Sequence, residues 1–125
     1  MGVDTDLAVL EDLRRQLRKA WCAQSAADPA LWSVTRPSTG QCAVSALIVQ
    51  ERFGGRILRV LVPGGSHYYN DVGGVDVDLT RDQFDEYLPT AAPEERTRGH
   101  LLANASTAAR YRLLRDRLRD VEWDV

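Results

Sequence analysis

The sequence predicts an α+β fold, with helices packed against a small antiparallel sheet. Three observations carry that prediction. Helical patterns come first, branched and aromatic strand-like runs follow, and a glycine-rich turn between two of those runs reads as a hairpin. In addition, one helical stretch is apolar over most of its circumference, as expected of a central helix with neighbours on several sides.

Taken in order, Asp4 to Trp21 reads as a helix. Leu7, Leu10, Leu13 and Leu17 recur at three-to-four spacing, and Asp4, Thr5 or Asp6 can cap its start. Cys22 to Thr39 lacks periodicity and is broken by Pro29 and Pro37, so it reads as a loop. Gln41 to about Arg52 is the apolar helix, built on Ala43, Val44, Ala46, Leu47, Ile48 and Val49 and stopped by Gly54-Gly55.

"RILRVLV", Arg56 to Val62, is a strand that ends at Pro63-Gly64-Gly65. "SHYYN", Ser66 to Asn70, and "VDVDL", Val75 to Leu79, flank "DVGG" as a hairpin. Thr80 opens a short helical turn, with Gln83 placed for a capping box. Glu86 to about Asn104 contains Pro89 and Pro93 and reads as irregular, with one short helix. Thr107 to about Val121 is a final amphipathic helix carrying Tyr111, Leu114 and Leu118. Repeats and low-complexity tracts are absent, so residues 1–125 read as a single domain.

Composition narrows the functional classes. A chain of 125 residues with 44% hydrophobic content can support its own core; roughly 65–70% of the unfolded surface is buried at this size. The net charge is only -2, and no basic stripe is interleaved with aromatics, which argues against nucleic acid as a partner. The arginines lie opposite acids in the flanking helical stretches, as on solvated faces. No stretch approaches the roughly 18 apolar residues of a membrane span. Met1 to Asp6 is short and acidic, unlike a signal peptide. Cys22 and Cys42 are the only cysteines, which points to reduced thiols in a cytoplasm rather than a disulfide.

"STGQCAVSALIVQ", Ser38 to Gln50, places Cys42 at the first turn of the apolar helix. The positive end of a helix dipole favours thiolate there. Cysteine chemistry also needs an imidazole partner and a third group to orient it. His67 in the first hairpin strand and Asp78 or Asp76 in the second supply these types. A four-residue "DVGG" loop sets His67 directly opposite Asp78, about 5 Å apart at Cβ. A two-residue loop keeps His67, Asp76 and Asp78 on one face but diagonal, and a three-residue loop separates them. Asp78 is the preferred orienter. Each residue also has a plain structural reading: a small core cysteine, a structural histidine, a polar strand end.

The backbone N–H of Cys42 can donate to an oxyanion. A second donor is Gln41 or Trp32, each with an alternative as helix-start polar residue or core anchor. Asn70, beside Tyr68 and Tyr69, lies near the histidine and can shape a substrate groove. Cys42, His67, Asp78 and His100 lack metal-ligand spacing, and no phosphate-loop pattern occurs, so neither metal nor cofactor is expected.

"GQCAVSALIVQERFGGRILRV", "GGSHYYNDVGGVDVDLTRDQF" and "ASTAARYRLLRDRL" together resemble the bacterial YunG-like family, over roughly Trp32 to Leu118. The "GQC-x-V-x-A" portion also resembles the nucleophile helix of transglutaminases, within the papain-like and transglutaminase-like superfamily. That resemblance implies a nucleophile helix packed on a small antiparallel sheet, with Cys42 as nucleophile, His67 as base and Asp78 as third member. Two departures stand out: Ala43 replaces the aromatic after a transglutaminase cysteine, and Arg36 stands where a papain-type glutamine is expected. The expected function is a thiol-dependent hydrolase or acyltransferase acting on an amide or thioester carbonyl. Its substrate would be a small molecule, a short peptide or a carrier-bound acyl group. The competing expectation is a binding or accessory protein that keeps the scaffold without turnover.

Overall fold

Leu10, Leu13 and Leu17 put one apolar stripe on the first helix, and all three are buried. In the computed structural model, which describes residues 7–123, this helix is α1 (Leu7–Ala20). The expected caps Asp4, Thr5 and Asp6 lie outside the described residues. The following loop holds two short 3₁₀ turns, Ala23–Ser25 and Pro29–Leu31. The second is capped by Asp28, whose carboxylate accepts from the Ala30 N–H at 3.2 Å.

The apolar helix is α2 (Cys42–Phe53), with Gln41 as its N-cap. Six consecutive residues, Val44 to Val49, are buried, so no face of this stretch meets water. Then come β1 (Arg56–Val62), β2 (Gly65–Val72) and β3 (Val75–Val77). The chain closes with β4 (Glu94–Arg96), α3 (Arg98–Leu102) and α4 (Ala105–Trp123). The architecture is α+β. Among the described residues, four α-helices accompany a four-stranded antiparallel sheet in the order β3-β2-β1-β4.

Alternation divides the sheet's side chains between two apolar clusters. Ile57, Val72 and Val77 join the helices, packing with Leu13, Leu17, Leu47, Ile48, Leu114 and Leu118. Leu58, Val60, Val62 and Tyr69 form a second cluster, covered by Phe84 and Tyr87.

The hairpin departs from the four-residue loop. Val72 pairs with Val75, so the loop is Gly73-Gly74 alone, with φ of 60° and 87°. Two consecutive positive φ values are what a tight primed turn requires, and glycine reaches them without strain. Val72 is buried and stays in the strand. The strand β4, within the stretch expected to be irregular, is a short edge strand of charged residues paired with β1. Thr80 also forms no capping box. Its side chain makes no cap bond; instead Gln83 Nε2 donates to Thr80 O at 3.1 Å and to Oγ1 at 3.0 Å.

Candidate active site

Cys42 opens α2, and the approach to it depends on Gly40. Gly40 has φ of 73°, and a Cβ there would lie 3.1 Å from the Ala27 nitrogen and 3.4 Å from the Ala26 Cβ. The Gly40 carbonyl accepts from the Ala27 N–H at 2.9 Å, and its own N–H donates to Gln83 Oε1 at 3.2 Å. Gln83 therefore straps the turn after Asp78 to the residue two before Cys42. No side-chain cap covers the helix start, so its first-turn N–H groups point from an uncapped end. Cys42 is half-buried and, like Cys22, a free thiol.

His67 is fully buried in β2. Its Nε2 lies 2.7 Å from Asp78 Oδ2, the same oxygen that accepts from Arg81 Nε at 2.7 Å. Asn70 pairs with Val77, so Asp78 is offset diagonally from His67, as a two-residue loop dictates. The side chains still meet. Asp76 is exposed and Asp78 mostly buried. Aromatic rings close around the imidazole: Phe84 edge-on at 4.9 Å, Tyr87 at 5.7 Å and Tyr69 stacked at 6.1 Å. The Arg81 guanidinium covers the Tyr87 ring at 3.7 Å.

Opposing forces set the charge of this imidazole. Burial disfavours the cation, but the hydrogen bond to Asp78, followed by the influence of Cys42, outweighs it and raises the pKa to about 9. With Nε2 engaged by Asp78, Nδ1 is the nitrogen available to Cys42. Nδ1 is buried and has no partner at full hydrogen-bond geometry. Cys42 nevertheless helps to raise the ring's pKa.

The remaining sequence-derived candidates are engaged elsewhere. The fully buried Gln41 amide donates from Nε2 to Cys22 O at 2.9 Å and accepts at Oε1 from Ser25 Oγ at 2.8 Å. The Trp32 indole donates to Pro37 O at 2.9 Å. Asn70 Nδ2 donates to Ala46 O at 3.0 Å, tying β2 to α2 on the helix side of the sheet. Gln41 ties the start of α2 to the Cys22 loop, Asn70 ties β2 to α2, and Trp32 closes its own loop at Pro37.

With that geometry in view, comparison with known proteins supplies the kinship. Residues 9–122 match the YunG protein family. The chain belongs to the YunG family. A relative from Bacillus subtilis (strain 168), uncharacterized protein YunG, is 33% identical over 90 residues, covering 68% of this chain and 76% of its own. No solved structure matches.

In this YunG-family chain the structure also brings forward a residue that sequence reasoning missed. Arg110 of α4 donates from Nη1 to Ser25 O, from Nη2 to Thr107 Oγ1 and from Nε to Ser106 Oγ, each at 3.2 Å. Burial lowers its pKa, and Cys42 raises it. The available signal was its place three residues after buried Thr107, at the flank of the α4 core stripe. Among the described residues, no group of three or more His, Cys, Asp or Glu side chains is arranged to hold a metal ion. No described helix is long and apolar enough to cross a membrane.

Proposed function

We propose that this YunG-family protein is a thiol-dependent hydrolase or acyltransferase with a papain-like or transglutaminase-like Cys42–His67–Asp78 arrangement. The observation that carries the proposal is a buried imidazole engaged by Asp78 at Nε2 and influenced by Cys42. Burial in an apolar site strengthens each of these interactions relative to water.

Cys42 Sγ attacks the carbonyl carbon of an amide or thioester, and the charged imidazole stabilises the sulfur anion that does so. The carbonyl π bond opens to an oxyanion. First-turn N–H groups of α2, Cys42's among them, face the developing charge. Collapse breaks the bond to the amine or thiol, which leaves with a proton from His67. Water then attacks the acyl-enzyme through His67, releasing a carboxylic acid and restoring the thiol. An amine acceptor in place of water gives acyl transfer. Asp78 keeps the imidazole oriented, and Arg81 keeps Asp78 in place. The substrate would be a small molecule, a short peptide or a carrier-bound acyl group, in a compartment that keeps Cys22 and Cys42 reduced.

The complete burial of His67 beneath Phe84 and Tyr87 favours a second reading, in which the scaffold binds a partner without turnover. Incubation with an activated ester, followed by intact-mass analysis, separates the two. An acyl-enzyme should accumulate on Cys42, vanish in Cys42→Ala, and form at least about 100-fold more slowly in His67→Ala. Equal acylation of Cys22, or indifference to His67→Ala, would favour the binding scaffold.

A further inference from the structure

A guanidinium with only neutral partners is linked through Ser25 and Gln41 to the start of α2. Arg81 meets Asp78 and Arg98 meets Glu51, while Arg117, further along α4, donates to the Ala20 carbonyl. Arg110 meets only neutral acceptors, the carbonyl of Ser25 and the hydroxyls of Thr107 and Ser106. Among the described residues, no carboxylate pairs with it. Desolvating a cation without a counter-ion is costly, so such a group is retained where an anion completes it.

Its position is fixed by two links. Arg110 holds the Ser25 carbonyl, and Ser25 Oγ holds the Gln41 side chain, next to Cys42. Cys42 also acts electrostatically on Arg110, opposing the effect of burial. The three hydrogen bonds fix the guanidinium plane while leaving N–H donors over for a ligand. The start of α2, opened by Cys42 and without a side-chain cap, adds positive potential.

We propose that Arg110 anchors an anionic group of the substrate, a carboxylate or phosphate, close to the carbonyl that Cys42 attacks. The proposal rests on the thiol-enzyme reading and narrows it to anionic acyl donors. A guanidinium fork suits both anions through paired N–H donors. Arg110 acts here as a specificity residue and takes no proton.

The test compares alkylation of Cys42 by anionic iodoacetate and neutral iodoacetamide, with Cys22 in the same molecule as reference. The ratio of the two rates cancels the intrinsic reactivity of the sulfur. Failure of this ratio is therefore distinguishable from failure of thiol activation, which the iodoacetamide rate alone reports. The iodoacetate-to-iodoacetamide ratio should be higher at Cys42 than at Cys22, fall about tenfold in Arg110→Gln, and decline with added salt. Arg110→Lys, which keeps a point charge without the fork, should fall between. Inorganic phosphate and succinate are then added separately as blockers of iodoacetamide. Whichever slows Cys42 alkylation in the unmodified protein but not in Arg110→Gln identifies the anion. An unchanged ratio in Arg110→Gln, or protection by neither blocker, overturns the proposal.

Discussion

His67 is where burial and charge act against each other. An imidazole sealed among Phe84, Tyr87 and Tyr69 should be neutral, yet Asp78 and Cys42 hold it charged up to about pH 9. The folded-state value lies above the ordinary one near 6.5, so the folded protein binds this proton more tightly. Its stabilising contribution is complete below about pH 6.5 and is lost as pH rises through about 9. Urea unfolding of the protein and of His67→Gln checks this. The stability gap between them should shrink from about pH 6 to about pH 9.5, and a constant or widening gap would contradict the assignment. At this scale the residues of the candidate site were readable from sequence as types. Which aspartate meets His67 depends on the hairpin register, and the fates of Gln41, Trp32 and Asn70 depend on backbone carbonyls brought near by folding. Arg110 was hidden because an arginine on an amphipathic helix looks like any solvated one until its neighbours are known.

Elements were legible where periodicity was strong. The leucine spacing of α1 and the apolar run of α2 announce themselves, and the end of α1 and both ends of α2 differ by one residue. The hairpin has the two-residue loop among the lengths the sequence left open. Asp71 and Val72 sit beside the glycines and read as turn, although both pair within the sheet. β4 offered no apolar alternation, since a short charged edge strand is recognised only by its partner. The entry to α2 is the element boundary on which the candidate site depends most. Gly40→Ala should destabilise the protein by roughly 1–2 kcal/mol through the left-handed backbone alone. Crowding against Ala26 and Ala27 adds to that cost. A urea-derived change under about 0.5 kcal/mol would show that the loop accommodates a side chain there.

Across the whole molecule, the two apolar clusters place the candidate groups where the elements meet. The helical cluster fixes Cys42 at the start of a buried helix, and the second cluster seals His67 on its strand. The Gln83 strap joins the Asp78 turn to Gly40, while Arg36 joins Gln83 and Asp85 to the preceding loop. Asp82 reaches back to Arg14 and Arg18 on α1. The candidate groups thus come from segments far apart in sequence. Such long-range ties leave no local pattern, which explains why the sequence suggested the participants but not the scaffold between them. The central claim is that the imidazole of His67 makes the sulfur of Cys42 reactive. Site-resolved iodoacetamide labelling at mildly acidic pH tests it most directly, with Cys22 as the internal control. Faster labelling of Cys42 than of Cys22, lost in His67→Ala, is the predicted result; equal labelling of both thiols, or selectivity that survives His67→Ala, would contradict it.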